Sequence, residues 1–122
     1  MRKAHSTNTI NHRFLLKECA LNYALDIIRG RWKTLILGHI ANGVNRFSLL
    51  KTRMPGISDQ VLGKQLRELE EAGIIVKQVF AEVPPRTEYS FTGKGRALMV
   101  ILEQLTQWGD LYEAPVHTGD TA

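Results

Sequence analysis

Apolar positions follow helical spacing over most of this chain and give way to alternation between Ile75 and Phe91. From Ser58 to Ala72, Leu62, Leu66 and Leu69 recur at i, i+4 and i+7, the buried stripe of a helix. Ser58 is a favoured N-cap, and Asp59 puts negative charge where the helix dipole favours it. Gly73 ends the run in the preferred C-terminal position. Val61 and Ala72 flank the stripe, while Gln60, Lys64, Arg67 and Glu71 occupy the opposite face. Gly63 interrupts that face. An internal glycine costs about 1 kcal/mol against alanine, so its position points to close approach by another backbone, such as that of DNA. Upstream, Phe47, Leu50 and Met54 line one side of a short helix over Phe47–Met54, which Pro55-Gly56 breaks. Short helix, tight turn and longer helix are the order of a helix-turn-helix.

The alternating stretch reads as a hairpin. Ile75 to Glu82 is rich in β-branched and aromatic residues, and Thr87, Tyr89 and Phe91 alternate with Arg86, Glu88 and Ser90. Pro84-Pro85 cannot donate ladder hydrogen bonds and marks the tip. Arg86 stands at that tip, its charge expected to be free for a phosphate or a minor groove. A hairpin directly after a helix-turn-helix is a wing, and this assembly sets one helix in a DNA groove with a loop beside it.

The flanks complete a three-helix core. Lys17 to Ile28 predicts a first helix with Leu21, Ala24, Leu25 and Ile28 facing inward. Trp32 to Ala41 is apolar nearly all round and predicts a central buried helix. Arg46-Phe47 predicts a very short strand beside the wing. Thr92 caps a last helix from Gly93 to Tyr112, along which Leu98, Ile101, Leu105, Trp108 and Tyr112 form a coiled-coil-like seam. Ala97, Met99, Val100 and Leu102 widen that surface beyond what one domain needs, so a second copy is expected to cover it, with the first helix contributing. The expected fold is α+β and mostly α: a winged helix-turn-helix with a three-helix core, a two- to three-stranded wing sheet and a C-terminal dimerisation helix.

Composition narrows the function. The 122 residues, 43% of them hydrophobic, fit one domain. That domain is expected over 13–112, between a mobile polar arm (1–12) and a flexible tail (113–122). No run is long enough to span a membrane, and the first dozen residues have no signal-peptide core. One cysteine excludes an internal disulfide and fits a reducing cytosol, so a cytoplasmic, nucleoid-associated location is expected. The net charge of +4 is modest, but its placement matters. From Gly43 to Arg67 the bases Arg46, Lys51, Arg53, Lys64 and Arg67 face one acid, Asp59, whereas acids outnumber bases from Thr92 onward. A basic patch supplies the sequence-independent part of DNA affinity. The candidate DNA contacts are Arg46, Ser58, Asp59, Gln60, Gly63, Lys64 and Arg67, with Arg86 from the wing. The histidines His5, His12, His39 and His117 lack metal-ligand spacing, and His39 reads as a packed residue. Gly93-Lys94-Gly95 lacks the rest of a nucleotide-binding fingerprint. No metal, cofactor or enzymatic activity is expected. The competing reading is a winged-helix module that binds protein without DNA. It needs exposed aromatic or aliphatic anchors, which Gln60, Lys64 and Arg67 are not.

Several motifs in this order carry a resemblance: Cys19, Ala24-Leu25-Asp26-Ile27-Ile28, Gly30-Arg31-Trp32-Lys33 and Leu35-Ile36-Leu37. Arg46-Phe47, Pro55-Gly56-Ile57-Ser58, Leu66-Arg67-Glu68-Leu69-Glu70 and Gly73 continue it, and Pro84-Pro85, Glu88-Tyr89-Ser90-Phe91-Thr92, Gly95 and Trp108 end it. Over roughly residues 17 to 110 the chain resembles the HxlR family of bacterial winged helix-turn-helix regulators. The resemblance implies a homodimeric DNA-binding transcription factor, with a stress signal or small reactive molecule as its effector. Ala20 departs from the family pattern, which usually has proline after the cysteine; Gly63 departs where Ser or Thr is usual. Some relatives use a cysteine at this place, which makes Cys19 a candidate redox sensor. A helix N-terminus and nearby cations, here Arg13 and Lys17, favour the reactive thiolate. The alternative is an inert packing cysteine.

Overall fold

The structure, a computed structural model, describes residues 19–113. The arm at 1–12, Lys17 and the tail beyond Glu113 lie outside the described residues. Five helices and one hairpin follow in order: α1 (Ala20–Ile28), α2 (Lys33–Ala41), α3 (Phe47–Arg53), α4 (Asp59–Glu71), β1 (Ile75–Phe80), β2 (Arg86–Phe91) and α5 (Gly93–Tyr112). The expected winged helix-turn-helix is present, and its core gathers where the sequence stripes converge. Ile36, Leu37 and Ile40 of α2, Leu50 of α3, and Leu62, Leu66 and Leu69 of α4 are buried together with Ile74, Ile75 and Tyr89.

Four expectations need correction. Cys19 has extended backbone (φ −98°, ψ 93°), so the helical run expected from Lys17 is interrupted and α1 begins at Ala20. Leu21 and Leu25 do not face inward: they are 64% and 45% exposed, while Ile27 and Ile28 pack against the core. Ala24 and Ile27 line a cleft shared with Leu98 and Ile101 of α5, on a different side from the exposed leucines. The second helix is not buried all round, because Leu35 stays half exposed on the side away from α4. Arg46-Phe47 does not form a strand either. Phe47 already belongs to α3, and only an isolated bridge joins Arg46 to Glu88.

Short-range chemistry fixes the joints. The α3–α4 turn passes through Gly56 at φ 91°, which a side chain would strain. Ser58 caps α4 by accepting from the Val61 amide at 3.1 Å. Gly73, at φ 78°, turns the chain out of α4, and β1 pairs antiparallel with β2 from Ile75↔Phe91 to Phe80↔Arg86. Thr92 caps α5 by accepting from the Gly95 amide at 2.9 Å, and its hydroxyl donates to Gly73 O at 2.5 Å. Lys94 Nζ donates to Ala72 O at 2.7 Å and to the Tyr23 hydroxyl at 2.9 Å, tying α1, the end of α4 and the start of α5 together.

Gly95 is the most closely packed of the described glycines. A Cβ there would lie 2.0 Å from the carbonyl oxygen of Ile74. At Gly63 a Cβ would meet only the flexible guanidinium of Arg67, at 3.6 Å. Gly95→Ala is therefore expected to destabilise the fold by about 3 kcal/mol, the upper range for overpacking. Gly63→Ala is expected to stabilise it by about 1 kcal/mol through helix propensity. Urea midpoints of the two variants check both signs.

Candidate nucleic-acid interface

With its leucine stripe turned inward, α4 presents the opposite face to solvent. Gln60, Lys64 and Arg67 are all exposed there, at the i, i+4 and i+7 positions of a helical face. Ser58 and Asp59 lie exposed at the N-terminal end, and Gly63 is half-buried between Gln60 and Lys64. No aromatic or aliphatic side chain interrupts the row formed by Gln60, Lys64 and Arg67. Lys51 and Arg53 of α3 adjoin the start of α4, with Lys51 Nζ 3.7 Å from Asp59 Oδ1. That ion pair offsets the one acid in the basic region. Arg46 is the N-cap residue of α3, and 46% of its side chain is exposed.

The wing follows α4 directly, and its second strand is fastened to the helix-turn-helix. The Tyr89 amide donates to Asn45 O at 2.9 Å, and Asn45 Nδ2 donates to Tyr89 O at 3.3 Å. The expectation that Arg86 holds a free charge is not met. Its Nη1 lies 2.9 Å from Glu82 Oε2 and its Nε 3.0 Å from Glu88 Oε2, while its guanidinium stacks 4.0 Å from the Phe80 ring centroid. The Glu88 contact is an ion pair without hydrogen-bond alignment, since buried Nε has no acceptor in line among the described residues. Two carboxylates within reach of one guanidinium, beside an aromatic face, explain why the charge turns back onto the hairpin.

One charged pair beneath this surface escaped the sequence reading. Lys33, at 8% exposure, is the buried charge of the core, and its Nζ donates to Glu68 Oε1 at 2.5 Å. Glu68 also lies 3.8 Å from Lys64 Nζ through its other oxygen. It thus bridges the core lysine and the solvent-facing row. The signal was available: a lone lysine in an otherwise apolar helix needs a carboxylate, because an unpaired buried charge is costly. The hydrogen bond from Lys33 is the main cause holding the Glu68 carboxyl below its ordinary 4.5; partial burial opposes this, and the nearby Lys33 and Lys64 charges add to it.

The other candidates are dispersed. Cys19 is half-buried at the N-cap of α1, whereas Arg13, Lys17, His5, His12 and His117 lie outside the described residues. His39 is half-buried on α2. Leu98 packs against the core, but Ile101, Leu105, Trp108 and Tyr112 remain largely open, Trp108 at 61%. Among the described residues no cluster of metal-ligating side chains forms, and no helix is long and apolar enough to cross a membrane.

Residues 27–117 match the HxlR-like helix-turn-helix family. The chain belongs to that family. An HTH-type transcriptional regulator of Methanothermobacter thermautotrophicus is 43% identical over 94 residues, covering 77% of this chain and 72% of its own length. The regulator YtcD of Bacillus subtilis is 44% identical over 97 residues, covering 80% and 76%. Among solved structures, the redox regulator HypR in its reduced form superposes with a TM-score of 0.74 at 36% identity, over 81% of this chain and 98% of that one. Diamide-treated YodB from Bacillus subtilis superposes with a TM-score of 0.65 at 31% identity, over 79% of this chain and 95% of that one. The fold described above is thus that of an HxlR-type DNA-binding transcriptional regulator.

A pH test follows from Glu68. Its folded-state pKa is depressed, so its stabilising contribution is complete above the ordinary value of 4.5 and is lost as pH falls through the lower folded-state value. Urea unfolding is expected to show a steeper acid loss of stability below that ordinary value in wild type than in Glu68→Gln. Parallel acid profiles for the two proteins would count against the Lys33–Glu68 pair.

Proposed function

We propose that this regulator acts as a homodimer on an inverted-repeat operator, reading bases with α4 and holding the backbone with flanking residues. The observation that carries this reading is the exposed Gln60–Lys64–Arg67 row, which has hydrogen-bonding and basic groups and no apolar anchor. Gln60, Lys64 and Arg67 enter the major groove, Gly63 lets the backbone approach, and Ser58 and Arg46 sit near phosphates. Asp59 is repelled by phosphate and already faces Lys51, so it serves the helix start or accepts from a base amino group. Replacing Lys64 or Arg67 by alanine is expected to cost about 1–3 kcal/mol where the residue reads a base pair. A Gln60/Lys64/Arg67 triple-alanine protein that shifts operator DNA as well as wild type does would refute the assignment.

The dimer reading rests on the open seam of α5. Leu98, Ile101, Leu105, Trp108 and Tyr112 follow coiled-coil spacing, and Leu21 and Leu25 of α1 add exposed apolar surface. A second copy covering these faces would set two α4 helices about 34–36 Å apart on one side of DNA. Because Leu105 and Trp108 are 53% and 61% exposed in the single chain, Leu105→Glu or Trp108→Glu is expected to leave a folded monomer. Sedimentation velocity with circular dichroism checks this; a wild-type monomer at micromolar concentration refutes it.

The effector reading centres on Cys19, with an oxidant or electrophile as signal. HypR is named a redox regulator, and YodB is described after diamide treatment. Here Cys19 is a free thiol at the α1 N-cap. Oxidation or alkylation there would shift α1 at the proposed interface and alter the spacing of the two α4 helices. Diamide is expected to weaken operator binding in wild type and not in Cys19→Ser. Equal responses would make Cys19 a packing residue.

A further inference from the structure

Four charged side chains meet where the wing joins the helix-turn-helix. Glu82 and Glu88 hold Arg86 at 2.9 Å and 3.0 Å, and Glu88 Oε2 also lies 3.5 Å from Arg46 Nε. The two acids and two bases cancel locally. The hairpin register puts Arg86 opposite Phe80, so the guanidinium stacks across the last pair of the ladder while its contact with Glu82 spans the turn. The cluster therefore ties the tip, both strands and the residue preceding α3.

The exposures of the two arginines differ. Arg86 keeps 26% of its side chain exposed, and Arg46 keeps 46%. For Arg86 to reach a phosphate it would have to leave two carboxylates and an aromatic face. It would exchange one set of anionic partners for another, and leave Glu82 and Glu88 unpaired beside an anionic backbone, which repels them. Arg46 meets Glu88 only at 3.5 Å, with more of its side chain in solvent.

We propose that Arg86 is a positioning residue that locks the wing through Glu82, Glu88 and Phe80, and that Arg46 is the phosphate contact of this cluster. Glu88 is the shared element: it neutralises Arg86 and orients Arg46 from one carboxylate. The assignment rests on the reading above that α4 and the wing face DNA.

Salt dependence separates positioning from contact, because each phosphate neutralised contributes about 0.9 to the slope of log K against log salt. The probe is a random-sequence duplex, titrated by fluorescence anisotropy against full-length protein over a range of salt. Arg46→Gln removes one phosphate contact from each protomer and is expected to reduce the slope of the dimer by about 1.8. Arg86→Gln is expected to weaken binding several-fold with the wild-type slope, and to speed amide hydrogen exchange across 75–91. Arg86→Lys keeps the charge but lacks the planar fork that meets two carboxylates and a ring at once. It is expected to behave as Arg86→Gln does, whereas a simple phosphate contact would tolerate it. The proposal is overturned if Arg86→Gln reduces the slope, if Arg86→Lys binds and exchanges as wild type does, or if Arg46→Gln leaves the slope intact. A wild-type slope near zero would overturn the DNA-facing reading itself, and this assignment with it.

Discussion

The inward stripe of Leu62, Leu66 and Leu69 is the constraint on which the rest of this molecule depends. A helix of 13 residues is marginal in water by itself, and the outer face of α4 contributes nothing that would hold it in place. Its stability comes from burying those leucines among Ile36, Leu37 and Ile40. Each buried leucine is worth roughly 1.5–3 kcal/mol. That burial fixes the rotation of α4 about its axis, and the helical period then decides which residues are presented. Gln60, Lys64 and Arg67 point outward because the leucines point inward.

Charge is sorted around the same axis. Lys33 brings a cation into the core and finds Glu68 at the edge of the stripe, so the buried charge ends in a carboxylate that also faces Lys64. The pair is weak evidence for stability, since replacing both partners by apolar groups can be neutral. It pins the facing sides of α2 and α4 at one point, where the apolar contacts alone would tolerate sliding. The wing cluster acts similarly at the other end of the motif. There, Glu82 and Glu88 hold Arg86 on the protein.

Much of this was legible from residue spacing. The helix-turn-helix, the Ser58 and Thr92 caps, the Gly73 exit and the proline-marked tip were all signalled locally, because caps and turns have narrow residue preferences. What misled was information spacing does not carry. Alternation identified β2 but could not say that Arg86 would fold back onto Glu82 and Glu88. The apolar spacing of the second helix suggests burial all round, yet Leu35 remains half exposed. Periodicity ran through Cys19 although the backbone there is extended, because the pattern records which faces are apolar and not where the first turn closes. The third strand shrank to one bridge because Phe47 is claimed by α3. Among the DNA candidates, the structure gathers Ser58, Asp59, Gln60, Gly63, Lys64 and Arg67 on α4, and sets Arg46 and Arg86 apart in the wing cluster.

The close seat of Gly95 on the Ile74 carbonyl works like the fulcrum of a lever. Ile74 follows the end of α4 by a few residues, and α5 extends from the fulcrum to Tyr112. A tilt of roughly 5° there sweeps that far end, about 25 Å away, through about 2.2 Å. Read in the opposite direction, the gearing demagnifies. For a rigid α5, a displacement of a few ångströms around Trp108 and Tyr112 would correspond to fractions of an ångström beside α4. A side chain at position 95 would lift the helix off this bearing and introduce play at the point where the ratio is set.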